Sequence, residues 1–199
     1  DTQVGSVLPE FTGVKGTVTL RQLLSFTSGL HPDPDCSGSL TLTDCAAFIA
    51  AAPMRHLPGA EFRYGSGHLT VAARMAEVVS GKSWATLTAD ELTTPLGLTS
   101  TAYIKPATPN PAGTLYSNMV DYERFLRTMW NHGEIDGVRY LSTAAVEQMQ
   151  RDQTRGALMT GNGIGRKYGL GQWYEAIGNA PGQHEITSPG AFGFLPWID

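Results

Sequence analysis

Apolar residues recur at helical spacing along the first three quarters of the chain. Between residues 67 and 80 they form a stripe at i, i+3 and i+4, with Ser66 in front as a candidate N-cap and Gly81 behind as a C-terminal stop. The same spacing predicts helices over residues 19–28, 44–52, 84–93 and 118–131, and a further helix that Ser142 caps. The chain therefore begins as a predominantly helical body.

The pattern changes near residue 160, where glycine and aromatic residues become frequent. Short apolar runs there predict strands at roughly residues 168–175 and 190–198. Earlier in the chain, the pair Asp136-Gly137 lies between two short apolar runs and predicts a tight hairpin turn. Helices followed by strands indicate an α+β fold.

Composition and charge argue against two broad classes of function. The 199 residues carry a net charge of −4 without any run of Lys and Arg, which argues against nucleic-acid binding. No apolar stretch approaches the roughly 20 residues that a membrane-spanning helix needs. The chain starts without Met on a polar segment and stops on the strand-like run AFGFLPWID, so we expect a fragment cut at both ends.

Residues 33–45 contain two features with alternative interpretations. Cys36 and Cys45 are the two cysteines of the chain, and they either form a disulfide in an oxidising compartment or remain buried thiols. Residues 33–44 also place oxygen-bearing side chains and a glycine at the spacing of a calcium-binding loop. Asp44 in place of the usual final Glu, and the stiffening Pro34, favour an ordinary surface turn instead. We therefore assign no metal site and no cofactor.

The sequence lacks the markers of several other hydrolases. Its five histidines are not spaced as zinc-ligand pairs, and no Gly-x-Ser-x-Gly nucleophile elbow occurs. No Ser-x-x-Lys occurs either, since the nearest arrangement, Ser80-Gly81-Lys82-Ser83, has the wrong spacing. The glycine-rich GNGIG at residues 161–165 does not follow a clear strand, which argues against a dinucleotide site.

Four stretches of the chain together carry a family resemblance. They read DTQVGSVLPEF with VTLRQLLSFTSGLH, then PGAEFRYGSGHLTVAARMAEVVSGKSW with PLGLTSTAY, then AGTLYSNMVDYERFLRTMWNHGEIDGVRYLS, and finally SPGAFGFLPWID. In this order they resemble the family of class C serine β-lactamases, DD-peptidases and family VIII carboxylesterases. The resemblance implies a β-lactamase/transpeptidase-like α+β fold. Residues 1–165 would form its helical domain, and residues 166–199 the incomplete start of its antiparallel sheet.

The resemblance implies catalytic roles for five residues. Members of the family acylate a Ser that is activated by a Lys three positions later and by the Tyr of a Tyr-x-Asn motif, which matches Tyr64. Ser66 stands where Asn is usual, and its hydroxyl has a shorter reach. Ser188-Pro189-Gly190 stands where Lys/His-Thr/Ser-Gly is usual, so the cation and a hydroxyl are missing. The backbone N–H of Ala191 would be the oxyanion donor.

Two alternatives bear on the assignment of Tyr64. In the plainer one, Tyr64 is a buried aromatic residue beside a helix start. A second motif, Tyr116-Ser117-Asn118, fits Tyr-x-Asn literally, but the family has a structural helix start at this place, so we interpret Ser117 as an N-cap. Tyr64 follows Pro58-Gly59, as the tyrosine of the family does, and we therefore prefer it.

The resemblance predicts a serine hydrolase that acts through an acyl-enzyme on small esters or amides. Ser66 and Ser188 favour a carboxylesterase or amidase over an efficient β-lactamase. The Ser-x-x-Lys of the family would precede Asp1, so we expect residues 1–199 to be inactive alone. The alternative is a non-catalytic β-lactamase-like binding or scaffold protein. Family habit and the cysteines favour a periplasmic or secreted location, and a second chain, another copy or further residues would complete the sheet.

Overall fold

The structure is a computed structural model, and it describes residues 1–33, 36, 40–176, 184–190 and 194–198. The α-helices in this part are α1 Leu20–Leu24, α2 Leu42–Ala51, α3 Ser66–Ser80, α4 Trp84–Thr88, α5 Thr94–Leu96, α6 Met119–Trp130 and α7 Thr143–Gln150. The strands are β1 Glu61–Phe62, β2 Ala102–Tyr103, β3 Leu115–Tyr116, β4 Glu134–Ile135, β5 Val138–Arg139, β6 Leu158–Met159, β7 Lys167–Tyr168, β8 Trp173–Ala176, β9 His184–Thr187 and β10 Trp197–Ile198. Helices and strands are mixed along the chain, which confirms the α+β prediction.

Capping side chains decide where the helices begin. Helix α2 begins at Leu42, earlier than predicted, because Thr41 and Asp44 cap it reciprocally: each backbone N–H donates to the side chain of the other at 3.2 Å. Helix α6 begins after Asn118, whose Oδ1 accepts the N–H of Asp121 at 2.8 Å. The prediction that Ser117 caps this helix is therefore wrong. Ser142 caps α7, as predicted.

Helix α1 is shorter than the predicted helix over residues 19–28. It ends at Leu24, and Phe26 then takes a φ of +56°, in the left-handed region that bulky residues rarely occupy. The turn is held by the N–H of Thr27, which donates to the carbonyl of Gln22 at 2.9 Å. The backbone conformation at Phe26 points its ring away from the helix and into the aromatic cluster described below.

The larger sheet has four antiparallel strands in the order β7-β8-β9-β10. Its register aligns Tyr168, Trp173, Thr187 and Trp197 in one row across all four strands. The predicted strand over residues 168–175 is divided by a turn into β7 and β8, and β9 is an additional strand. Of the predicted strand over residues 190–198, the described part contains β10. The predicted Asp136-Gly137 turn joins β4 to β5.

Two hydrophobic clusters organise the region around α3. The larger cluster packs α1, α2 and α3 together, and its buried members are Val4, Leu8, Phe11, Val18, Leu23, Leu30, Ala46, Ile49, Val71 and Met75. The second cluster is aromatic and joins the helical body to the sheet through Phe26, Phe62, Tyr168 and Trp173. A disulfide links Cys36 to Cys45 at the start of α2, with a Cα–Cα distance of 5.7 Å. None of the described helices combines the length and the apolar character needed to cross a membrane.

Candidate active site

Tyr64 lies between strand β1 and helix α3, where its ring packs against both the helical body and the sheet. The Arg63 N–H donates to the carbonyl of Phe26 at 2.9 Å and holds the chain at this point. The Tyr64 ring is edge-on to Phe26, with centroids 5.0 Å apart, and parallel to Trp173, with centroids 5.6 Å apart. The residue is nevertheless 46% exposed. Its ring is thus fixed on two sides while part of the side chain faces solvent.

Ser66 is the first residue of α3 rather than its N-cap, so this prediction is wrong. The N-cap is Gly65, and its approach to the preceding segment explains the residue type: a Cβ at Gly65 would lie 2.4 Å from the carbonyl oxygen of Pro32. The segment at Pro32 caps the helix instead. Asp33 Oδ1 accepts the N–H of Ser66 at 3.3 Å, and the Pro32 carbonyl accepts the N–H of Gly67 at 2.6 Å.

Ser66 also lines a cavity of about 330 Å³ beside the disulfide. Its other walls come from α2, α3 and the loop between β2 and β3, which contributes Lys105 and Asn110. A volume of this size is within the range of small-molecule sites. Ser66, whose side chain does not cap the helix, is thus one of the residues that line this cavity.

Ser188 and Gly190 directly follow strand β9 in the chain. The Ser188 N–H donates to the carbonyl of Pro196 at 3.2 Å, and the Gly190 N–H donates to the carbonyl of Phe194 at 2.7 Å. The Gly190 N–H is therefore engaged by a backbone carbonyl in this structure. Ala191, which was predicted to supply the oxyanion donor, lies outside the described residues.

Trp173 connects the two parts of the candidate site. Its ring stacks on Tyr64, and its backbone lies directly opposite Thr187 in the sheet. Thr187 is the residue before Ser188. Neither Trp173 nor Phe26 was predicted as a site residue, because nothing in the local sequence of either indicates a contact with a tyrosine so distant along the chain. The frequent aromatic residues after residue 160 are a signal for Trp173, and Phe26 has none.

The surroundings of Tyr64 do not by themselves make it a base at neutral pH. Burial raises its pKa above the ordinary value of 10.0. No described residue forms a hydrogen bond with the Tyr64 hydroxyl. Proton transfer near pH 7 would therefore need a cation beside the phenol, which is the role that a Lys has in the motif discussed above.

Ser28 is another serine near Tyr64, and it forms a structural hydrogen-bonded pair with His68. The Ser28 hydroxyl is 2.8 Å from Nδ1 of His68, and neither side chain is exposed to solvent. The His68 ring stacks on Phe26, with centroids 5.1 Å apart, so the pair lies behind the aromatic cluster. Burial lowers the pKa of His68 to about 4. A fully buried pair has no access to substrate, and it supports the floor of the site instead.

The calcium interpretation of residues 33–44 conflicts with the roles of their carboxylates. Asp33 accepts the N–H of Ser66, and Asp44 accepts both the N–H and the hydroxyl of Thr41. Asp35, Ser37 and Gly38 of the same pattern lie outside the described residues. In the part of the chain that the structure describes, no group of three or more His, Cys, Asp or Glu side chains could hold a metal ion.

Comparisons with known proteins agree with the α+β fold. The family model described as beta-lactamase matches residues 1–199. The chain is 29% identical over 238 residues to a penicillin-binding protein 4 of Amycolatopsis lactamdurans, an alignment covering 98% of this chain and 61% of that protein. A candidate β-lactamase from Bacteroides dorei matches with a TM-score of 0.88 and 33% identity, over 100% of this chain and 66% of the other. A family VIII carboxylesterase has a TM-score of 0.75 at 20% identity, over 100% of this chain and 66% of the other. The chain thus spans less than two thirds of the length of these relatives.

Proposed function

The chain belongs to the β-lactamase family, and on this premise we propose that Tyr64 is the proton-transfer residue of a serine hydrolase acting on esters or amides through an acyl-enzyme. The observation that supports this role most strongly is the packing of the Tyr64 ring against Phe26 and Trp173 while the residue is still 46% exposed. A proton-transfer group needs a fixed ring and an accessible hydroxyl. Tyr64 has the first and is positioned for the second.

In the proposed reaction, Tyr64 as phenolate removes the proton from the attacking serine hydroxyl. The serine oxygen forms a bond to the substrate carbonyl carbon, and the ester or amide bond then breaks as Tyr64 returns the proton to the leaving group. Tyr64 then removes a proton from water, the water oxygen bonds to the acyl carbon, and the bond to the serine oxygen breaks as Tyr64 returns the proton to that oxygen. The backbone N–H of Ala191 would stabilise the oxyanion, since the N–H groups of Ser188 and Gly190 already donate to the carbonyls of Pro196 and Phe194.

The proposal assigns the acylated serine to chain outside these 199 residues, because no Ser-x-x-Lys occurs within them. Ser66 and Ser188 stand where the family usually has Asn and Lys or His. These differences favour uncharged esters or amides over substrates that need a cation at position 188. The cavity of about 330 Å³ beside Ser66 suits a small molecule. The Cys36–Cys45 disulfide supports a periplasmic or secreted location.

A non-catalytic binding protein of the same fold is the second candidate function. The observation in its favour is the pair Ser188-Pro189, which brings neither a cation nor a side-chain hydroxyl at the proline position. Burial also raises the pKa of Tyr64, which a binding protein would tolerate without cost. In this case the cavity beside Ser66 would hold a ligand without changing it.

Covalent labelling distinguishes the two functions. The complete protein and the 199-residue chain are each incubated with a fluorophosphonate, and their intact masses are measured. For a hydrolase, the complete protein gains one adduct on a Ser-x-x-Lys serine and the 199-residue chain gains none. An unlabelled complete protein that still binds small esters would support the binding function. An adduct on the 199-residue chain would contradict the assignment of the nucleophile.

A further inference from the structure

We propose that Arg166 is a positioning residue for the candidate active site, because it joins the ring that fixes Tyr64 to the strand that leads to Ser188. The inference rests on the proposed function, since positioning has a kinetic meaning only if Tyr64 takes part in the reaction. Its structural part, the dependence of the Tyr64 ring on Arg166, can be measured independently of activity.

The first contact of Arg166 is with the aromatic cluster. Its guanidinium carbon lies 3.9 Å from the centroid of the Trp173 ring, a cation–π contact. Trp173 is 3% exposed, and its ring is within 11° of parallel to the ring of Tyr64. A change in the orientation of Trp173 would therefore be transmitted directly to the phenol of Tyr64.

The second contact of Arg166 is with the sheet. Its guanidinium forms an ion pair with Glu175, and the hydroxyl of Thr187 donates to the other Glu175 carboxylate oxygen at 2.7 Å. Arg166 precedes Tyr168 by two residues, and Glu175 follows Trp173 by two. Because Tyr168 and Trp173 are paired, both charged side chains lie on the same face of the sheet as the Tyr168 and Trp173 rings. Thr187 directly precedes Ser188, so the ion pair also restrains the start of the Ser188–Gly190 turn.

One guanidinium group thus holds both parts of the site. Arg166 and Glu175 side chains are 30% and 25% exposed, so the pair is partly shielded from water and is less screened than a surface ion pair. The planar guanidinium can lie on a ring and bind a carboxylate together, which the ammonium of Lys does less well. Loss of the contact would free the Trp173 ring and the Glu175 carboxylate that binds Thr187, although β8 and β9 stay paired.

Fluorine NMR tests the structural part. The protein is labelled with 3-fluorotyrosine, and the Tyr64 resonance is identified by its loss in Tyr64→Phe. We expect Arg166→Gln to shift or broaden this resonance, Arg166→Lys to give an intermediate effect, and Glu175→Gln to act in the same direction. The control is Lys82→Gln, which removes an ion pair with Asp90 beyond the C-terminal end of α3 and should leave the resonance in place. Unchanged resonances of Tyr103, Tyr116 and Tyr140, which lie outside the aromatic cluster, show that the fold is retained.

Steady-state kinetics of the complete enzyme with p-nitrophenyl acetate test the functional part. Arg166→Gln should lower kcat by about 10- to 100-fold with little change in KM, because a small displacement of a reacting group has effects of this size. A Tyr64 resonance that stays in place in Arg166→Gln overturns the inference, and so does a resonance that moves while kcat is unchanged. If Tyr64→Phe does not lower kcat, the proposed function fails, while the NMR result still decides whether Arg166 positions the ring.

Discussion

The Ser28 hydroxyl lies 2.8 Å from Nδ1 of His68, and both side chains are completely buried beneath the aromatic cluster that carries Tyr64. The same hydroxyl accepts the N–H of Leu30 at 3.1 Å, so it ties the chain after α1 to helix α3. Phe26, whose ring contacts both His68 and Tyr64, lies between this pair and the candidate site. The stability of the site floor therefore depends on the protonation state of one histidine.

The first prediction concerns pH. Burial lowers the pKa of His68 from 6.5 to about 4, so the unfolded chain binds this proton more readily than the folded chain does. The contribution is fully present above pH 6.5 and is lost as the pH falls towards 4, a loss of about 3 kcal/mol in the free energy of unfolding. Urea unfolding measured across this range checks the slope.

Two histidine variants make that measurement specific. His68→Gln should flatten the pH dependence between these limits, because the titrating group is gone. His132→Asn removes an exposed histidine and should retain the wild-type slope; Asn tolerates the positive φ of +51° at this position. Equal slopes for the wild type and His68→Gln would show that His68 does not titrate as described.

The second prediction concerns the entry into α3. Gly65→Ala should destabilise the protein by about 1–3 kcal/mol, since the new Cβ would lie 2.4 Å from the Pro32 carbonyl oxygen and displace the segment that caps the helix. The matched control is Gly113→Ala, where the nearest atom, Nδ2 of Asn110, is 3.9 Å away. Urea midpoints of the two variants are compared. Similar midpoints would mean that the Pro32 contact does not constrain the helix start.

The third prediction concerns the disulfide. Replacing Cys36 and Cys45 together with Ser should lower the free energy of unfolding by roughly 2–3 kcal/mol, because the loop before α2 is no longer closed. A reducing agent should lower the melting temperature of the wild type and leave the double variant unchanged. EGTA should change neither, since the Asp33 and Asp44 carboxylates are engaged in helix capping. A large drop in melting temperature with EGTA would restore the calcium interpretation.

Local signals explain which parts of the fold the sequence predicted. Helix α3 and its Gly81 stop follow from apolar spacing and from the left-handed conformation of a glycine, both of which are local properties. Local sequence does not decide whether Ser117 or Asn118 caps α6, because both residue types cap helices well. The path of the backbone decides in favour of Asn118. Strand β9 reads HEIT, and its pairing with β8 and β10 rather than its own pattern makes it a strand.

The candidate site was predicted in part for the same reason. Tyr64 was found through a motif, whereas its contacts with Phe26 and Trp173 depend on the packing of distant segments. The left-handed conformation of Phe26 is imposed by tertiary structure and has no marker in the sequence TSGL that follows it. The contacts of Arg166 with Trp173 and Glu175 likewise depend on the register of β7 and β8.

The central claim is that Tyr64, rather than the tyrosine of the literal motif, transfers protons in the hydrolase. The most direct measurement compares kcat/KM of the complete protein for p-nitrophenyl acetate in Tyr64→Phe and Tyr116→Phe. Tyr116 is 63% exposed, so its replacement is a matched control for losing a tyrosine hydroxyl. We predict that Tyr64→Phe lowers kcat/KM by about 10²- to 10⁴-fold while Tyr116→Phe leaves it within about twofold. A full rate in Tyr64→Phe, or an equal loss in both variants, would contradict the account.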